Sequence, residues 1–85
     1  MLFMKFYVYF LKSLKNQVLY IGSTENLKNR LRQHNAGRVK STKAYTPWRL
    51  MDYEEFGTRA EAVRRERFLK TSQQKERLKE KFKNK

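Results

Sequence analysis

Eighty-five residues without a cysteine describe one domain, spanning 1–85, near the lower end of what a single apolar core can hold. Neither a disulfide framework nor a thiolate zinc site can staple it, so its twelve aromatics must supply the large buried areas. The formal net charge of +13 favours a polyanionic partner, nucleic acid ahead of any other, because each neutralised phosphate releases a condensed counterion.

From the N-terminus, Met1 to Leu11 is apolar but carries Lys5 and lacks a small-residue cleavage site, so it does not read as a secretory leader. No apolar run reaches the roughly 20 residues that cross a bilayer. A cytoplasmic chain without a membrane partner is therefore expected. Phe6 to Leu11 is aromatic and β-branched, which suits a strand. Val18 to Gly22 is strand-like again after the polar link Ser13 to Gln17, so the two read as a hairpin that lays the Tyr9 and Tyr20 strands together. Period-2 alternation puts Tyr7 and Tyr9 on one face and Phe6, Val8 and Phe10 on the other. Both faces are apolar, which suggests a central strand covered on both sides.

Gly22 reads as the exit from the second strand, and Ser23 and Thr24 as N-cap candidates for a helix that Asn35 or Gly37 would stop. Leu27 and Leu31 form its apolar stripe, and Arg30 and His34 border that stripe one turn apart. Gly37 to Pro47 is a loop rich in small, basic and hydroxyl residues, including Arg38, Lys40 and Lys43. Trp48 to Phe56 resumes a strand, with Trp48, Leu50 and Phe56 expected on one side and Met51 and Tyr53 on the other. Thr58 to Glu61 is a capping box. In the helix it starts, Glu66 falls on the apolar side with Ala62, Val63 and Leu69, where a carboxylate needs a partner. The plain explanation is an ion pair with Arg64, Arg65 or Arg67. Thr71 to Gln74 marks a break, and Leu78 and Phe82 give the last helix a short stripe. The order is β-β-α-β-α-α in an α+β domain.

Tyr9, Tyr20, Arg30, His34 and Glu66 each have an ordinary structural reading, as core hydroxyl, surface charge or local ion pair. Together they form a set that packing alone does not require. The runs Tyr7-Val8-Tyr9 and Leu19-Tyr20-Ile21-Gly22, followed by Arg30-Leu31-Arg32-Gln33-His34-Asn35-Ala36-Gly37, Pro47-Trp48 and Arg65-Glu66, resemble the signature of the GIY-YIG endonuclease superfamily. The resemblance runs from about Phe6 to Leu69 and is strongest to the small single-domain members. It departs from the pattern in the first motif, which lacks its glycine. Ser23 also stands where some relatives have lysine, and His34 where tyrosine is frequent.

The resemblance implies a three-stranded antiparallel sheet flanked by helices and a divalent-metal-dependent cut of a DNA phosphodiester bond. Tyr20 would be the reactive phenol, Tyr9 its neighbour, Arg30 the contact to the scissile phosphate, and Glu66 the sole protein ligand of one magnesium or manganese ion. Tyr20 could act as base only if nearby cations lower its pKa from about 10; otherwise it positions the water and His34 is the alternative base. Ser23, Arg38, Lys40 and Lys43 would contact nucleic acid, with DNA favoured over RNA. The other reading is a noncatalytic basic binding module with the same fold. Both leave the oligomeric state open.

Overall fold

The computed structural model describes residues 4–85, so the first three residues of the apolar N-terminal run lie outside it. The expected element order holds. Strand β1 spans Phe6–Ser13, β2 Leu19–Thr24, helix α1 Leu27–Asn35, β3 Trp48–Phe56, α2 Arg59–Leu69 and α3 Ser72–Lys81, with a 3-10 turn at Lys43–Tyr45. The three strands form one antiparallel sheet in the order β2-β1-β3.

Placing β1 in the middle answers its double-sided apolar character. Every residue from Val8 to Ser13 is buried. On one face Val8 and Phe10 pack with Ile21, with Ala62 and Leu69 of α2, and with Leu78 and Phe82 beyond them. On the other face Tyr9 and Leu11 pack with Trp48, Tyr20, Leu50 and the Leu27–Leu31 stripe of α1. Burying both faces of one strand lets a chain this short build two half-cores around a shared backbone.

Two local expectations fail for identifiable reasons. Helix α1 does not begin at Ser23 or Thr24, and Gly22 does not end the strand. The ladder continues through Val8 to Ser23 and Tyr7 to Thr24, and the cap is Asn26, whose side chain accepts from the Asn29 amide at 3.0 Å. In β3 the pairing jumps from Phe10–Asp52 to Leu11–Leu50, so Met51 is an extra residue. Such a bulge inverts the alternation beyond it. Phe56 therefore joins Met51 in the half-core under α2, and Tyr53 turns to the opposite face against Tyr7, with ring centres 5.8 Å apart.

The start signals of α2 and α3 hold. Thr58 caps α2 by accepting from the Glu61 amide, and Thr71 is the N-cap residue of α3. What fixes the C-terminal segment is a residue the pattern did not single out. Lys12, buried in β1, donates through Nζ to the carbonyls of Phe82 at 2.9 Å and Lys83 at 3.3 Å. A cation at the carbonyl end of a helix is favourably placed, and both carbonyls would otherwise lack this donor. Lys12→Met keeps the aliphatic stem and removes the ammonium. It should lower unfolding free energy by about 2 kcal/mol; urea titration reads the loss, and an unchanged midpoint would mean that apolar contacts alone hold the tail.

Candidate active site

The chemistry-bearing side chains gather at β2, and the reason is its position at the rim of the sheet. Tyr20 projects to the α1 side, Ile21 to the α2 side, Gly22 toward Tyr9, and Ser23 toward α2. Groups from both faces can meet around an edge strand, and here they do.

On the α1 side, the Tyr9 hydroxyl lies 2.8 Å from His34 Nε2, and His34 Nδ1 lies 2.8 Å from Thr42 Oγ1. All three residues are almost completely enclosed. The Tyr9 ring end rests against the backbone of Gly22. A Cβ there would lie 2.5 Å from the hydroxyl oxygen and 2.6 Å from Cζ, so any side chain would expel the phenol. That is the work of the glycine, at ordinary backbone angles. The Tyr20 ring stands 5.0 Å from that of His34 and 6.2 Å from that of Tyr9.

Burial pushes the Tyr9 phenol up to about 12, with the Tyr20 and Glu66 charges adding to the rise while the nearby Arg30 guanidinium opposes it. Burial also pushes His34 down to about 4, and Arg30 adds to that fall. Near neutrality both side chains are therefore uncharged. Arg30, half-buried on α1, donates to the Gln33 side chain at 3.0 Å and makes no ion pair among the described residues.

On the α2 side, Glu66 reaches the rim. Ser23 donates to its Oε1 at 2.6 Å, and Lys70 donates to its Oε2 at 2.6 Å. Lys70 also sits over the Tyr20 ring, 5.8 Å from its centre. The ion partner of Glu66 is thus Lys70, one turn on, and none of the three flanking arginines. Arg65 instead bonds both oxygens of Glu54 on β3, which raises its pKa.

Arg38, Lys40 and Lys43 are exposed on the segment between α1 and β3. That segment is held by Asn35, whose side chain accepts from the Trp48 amide at 2.6 Å and donates to the Trp48 carbonyl at 3.0 Å, and by Trp48 Nε1 donating to the Thr42 carbonyl at 3.0 Å. The structure therefore brings Tyr9, Tyr20, His34, Arg30, Glu66 and Ser23 together and leaves the three loop cations on the outside. Sequence reasoning missed Thr42 and Lys70. Lys70 had a signal in its spacing of four from Glu66, whereas nothing local marks a loop threonine as buried.

Three antiparallel strands and the helices on both faces define a small α+β domain. The chain belongs to the GIY-YIG family: the family model described as the GIY-YIG catalytic domain matches residues 5–81. It is 42% identical over 76 residues to a UPF0213 protein of Staphylococcus haemolyticus, covering 88% of this chain and 92% of that one. A UPF0213 protein of Haloquadratum walsbyi is 39% identical over 66 residues, covering 76% of this chain and 73% of that one. The solution NMR structure of a UPF0213 protein from Bacillus halodurans superposes with a TM-score of 0.54 at 33% identity, covering 88% of this chain and 82% of that one. No helix among the described residues is long and apolar enough to cross a membrane.

His34 is the single histidine of the chain, so its effect on stability can be isolated. An unfolded histidine takes a proton near pH 6.5, whereas the folded one does so only near 4. Its contribution is complete above pH 6.5 and is lost as pH falls toward 4. The melting temperature should drop between pH 6.5 and 5, where carboxylates are still mostly ionised, and His34→Gln should flatten that slope. An equal slope in both proteins would place the titration elsewhere.

Proposed function

We propose that the chain is a divalent-cation-dependent endonuclease that hydrolyses DNA phosphodiester bonds. The observation that carries this reading is the arrival of one carboxylate, Glu66, from the far side of the sheet at the rim where Tyr20, Tyr9 and the ion-pair-free Arg30 already meet.

The donor set suits magnesium or manganese. Glu66 and the Ser23 hydroxyl offer hard oxygens, and the described residues contain no cluster of three or more His, Cys, Asp or Glu that would cage a softer or larger ion. A magnesium ion commonly keeps several waters and takes one or two carboxylates. Lys70 would have to release Glu66 Oε2 to admit it. Such an ion, when bound, supplies Lewis-acid stabilisation of charge on the phosphate oxygens.

The chain's own residues do the rest. Arg30 offers a guanidinium fork to a non-bridging phosphate oxygen, where negative charge grows in the transition state. Tyr20, with no hydrogen-bond partner among the described residues and Lys70 over its ring, is the phenol free to meet the attacking water. Tyr9 is a less suitable base, because its proton is held more tightly than usual. His34, enclosed with both ring nitrogens engaged, acts here by positioning Tyr9. Arg38, Lys40 and Lys43 hold the flanking backbone. With no base-reading element evident, substrate shape would govern selection.

The 2.6 Å Glu66–Lys70 pair favours a second reading, in which Glu66 is structural and the domain binds nucleic acid without cutting it. Glu66→Gln separates the two. As a metal ligand its loss abolishes cleavage, lowers manganese affinity measured by calorimetry, and leaves nucleic-acid binding intact. As a structural partner its loss lowers the melting temperature while the folded fraction cuts at the normal rate.

Phosphate contacts should dominate affinity. Binding is expected to weaken steeply with salt, and neutralising Lys40 and Lys43 together should reduce the slope of log K against log salt by about 2 while weakening all sequences alike. Fluorescence anisotropy on unrelated duplexes checks this; a salt-insensitive or strongly sequence-selective affinity would refute it.

A further inference from the structure

The buried hydrogen bonds behind Tyr9 form a relay whose direction is set at its inner end. At the inner end, Thr42 Oγ1 lies 3.3 Å from the Val39 carbonyl, which also receives the Thr42 and Lys43 amides at 3.0 Å each. A carbonyl only accepts, so the hydroxyl proton points to it and a lone pair faces His34 Nδ1. A neutral imidazole carries one proton, and a Thr42 hydroxyl turned to the Val39 carbonyl places it on Nδ1. Nε2 is then bare and must accept from Tyr9.

We propose that Thr42 is a positioning residue for Tyr9: it fixes His34 as the Nδ1–H tautomer, which commits the Tyr9 proton inward and leaves the Tyr9 oxygen facing the site as an acceptor only. The reversed relay, with Nε2–H donating outward, would leave Tyr9 free to donate a proton to a phosphate oxygen. The two directions assign opposite chemistry to the same phenol. In the inward direction Tyr9 can accept an N–H of an approaching Arg30 or an O–H of water and so align either one. On the nuclease reading above, that aligns the guanidinium with the phosphate or the water with phosphorus. Thr42 also belongs to the segment that carries Arg38, Lys40 and Lys43, so the loop that would meet the nucleic-acid backbone also sets the tautomer.

The first test is independent of cleavage. Long-range proton–nitrogen correlation NMR of the single histidine at pH 7 should show Nδ1 protonated and Nε2 unprotonated in the unmodified protein. Thr42→Val removes the acceptor and should move the ring toward the Nε2–H form, and Thr42→Ser should restore the original pattern. In cleavage assays Thr42→Val should lower kcat by roughly tenfold or more with KM little changed, and Thr42→Ser should recover it. An Nε2–H ring in the unmodified protein overturns the proposal, as does a folded Thr42→Val protein that keeps Nδ1–H. If Thr42→Val does not fold, the unmodified and Thr42→Ser spectra still decide the tautomer. An Nδ1–H ring in a chain that cuts no nucleic acid would refute the nuclease reading and leave the Thr42 assignment standing.

Discussion

The hydrogen bond between the Tyr9 hydroxyl and His34 Nε2 is the contact on which the site depends. It joins the central strand to α1 inside a half-core where an unpartnered polar atom would cost several times what the bond contributes. Its geometry imposes three demands on distant parts of the chain. Gly22 must stay without a side chain so that the phenol can lie flat on the strand, His34 must stay neutral, and Thr42 must close the far side of the ring. With these met, no buried side-chain polar atom among the described residues lacks a partner. A fully satisfied buried network specifies one arrangement of β1, β2, α1 and the following loop. The rim therefore inherits its order from chemistry that lies mostly beneath it.

The surrounding charge pattern is asymmetric by design of composition. A chain with 21 cations and 8 anions brings one carboxylate to the rim and gives both its oxygens donors, from Ser23 and Lys70. Arg30 has no anionic partner among the described residues. An unpaired guanidinium beside a satisfied carboxylate suits a polyanion better than a cation or a neutral ligand. The same imbalance explains why the protein can place a carboxylate near two phenols: the positive field offsets what would otherwise be mutual repulsion with an incoming phosphate.

Most of the fold was legible because most of its signals are local. Alternation in Phe6 to Leu11, the capping box at Thr58 and the Leu27–Leu31 spacing each report a nearest-neighbour preference, and all three elements form, α1 with a later start than its cap signals suggest. The failures belong to interactions between segments. Strict alternation gave no sign of the Met51 bulge, which exists only through pairing with β1. Ser23 and Thr24 are good caps in isolation, but the ladder to β1 claims them first. For the site, Tyr9, Tyr20, Arg30, His34 and Glu66 were visible as a set through their motif. Lys12 and Thr42 were not, because a lysine in a strand and a threonine in a loop acquire meaning only from what folding brings beside them, whereas Lys70 was passed over although its spacing from Glu66 is local.

The rim position of β2 has a consequence for how such a sheet can grow. A fourth strand added beside β2 would lie along the edge that carries Tyr20 and Ser23, beside Glu66. Extension is confined to the β3 side, where Arg49, Asp52, Glu54 and Glu55 and the Met51 bulge discourage casual pairing with another edge. A fusion partner or designed oligomer that completes the sheet should therefore be joined along β3. Pairing along β2 would make a well-ordered but blind assembly. Topology alone thus divides the two open edges into one lined by the candidate site and one available for architecture.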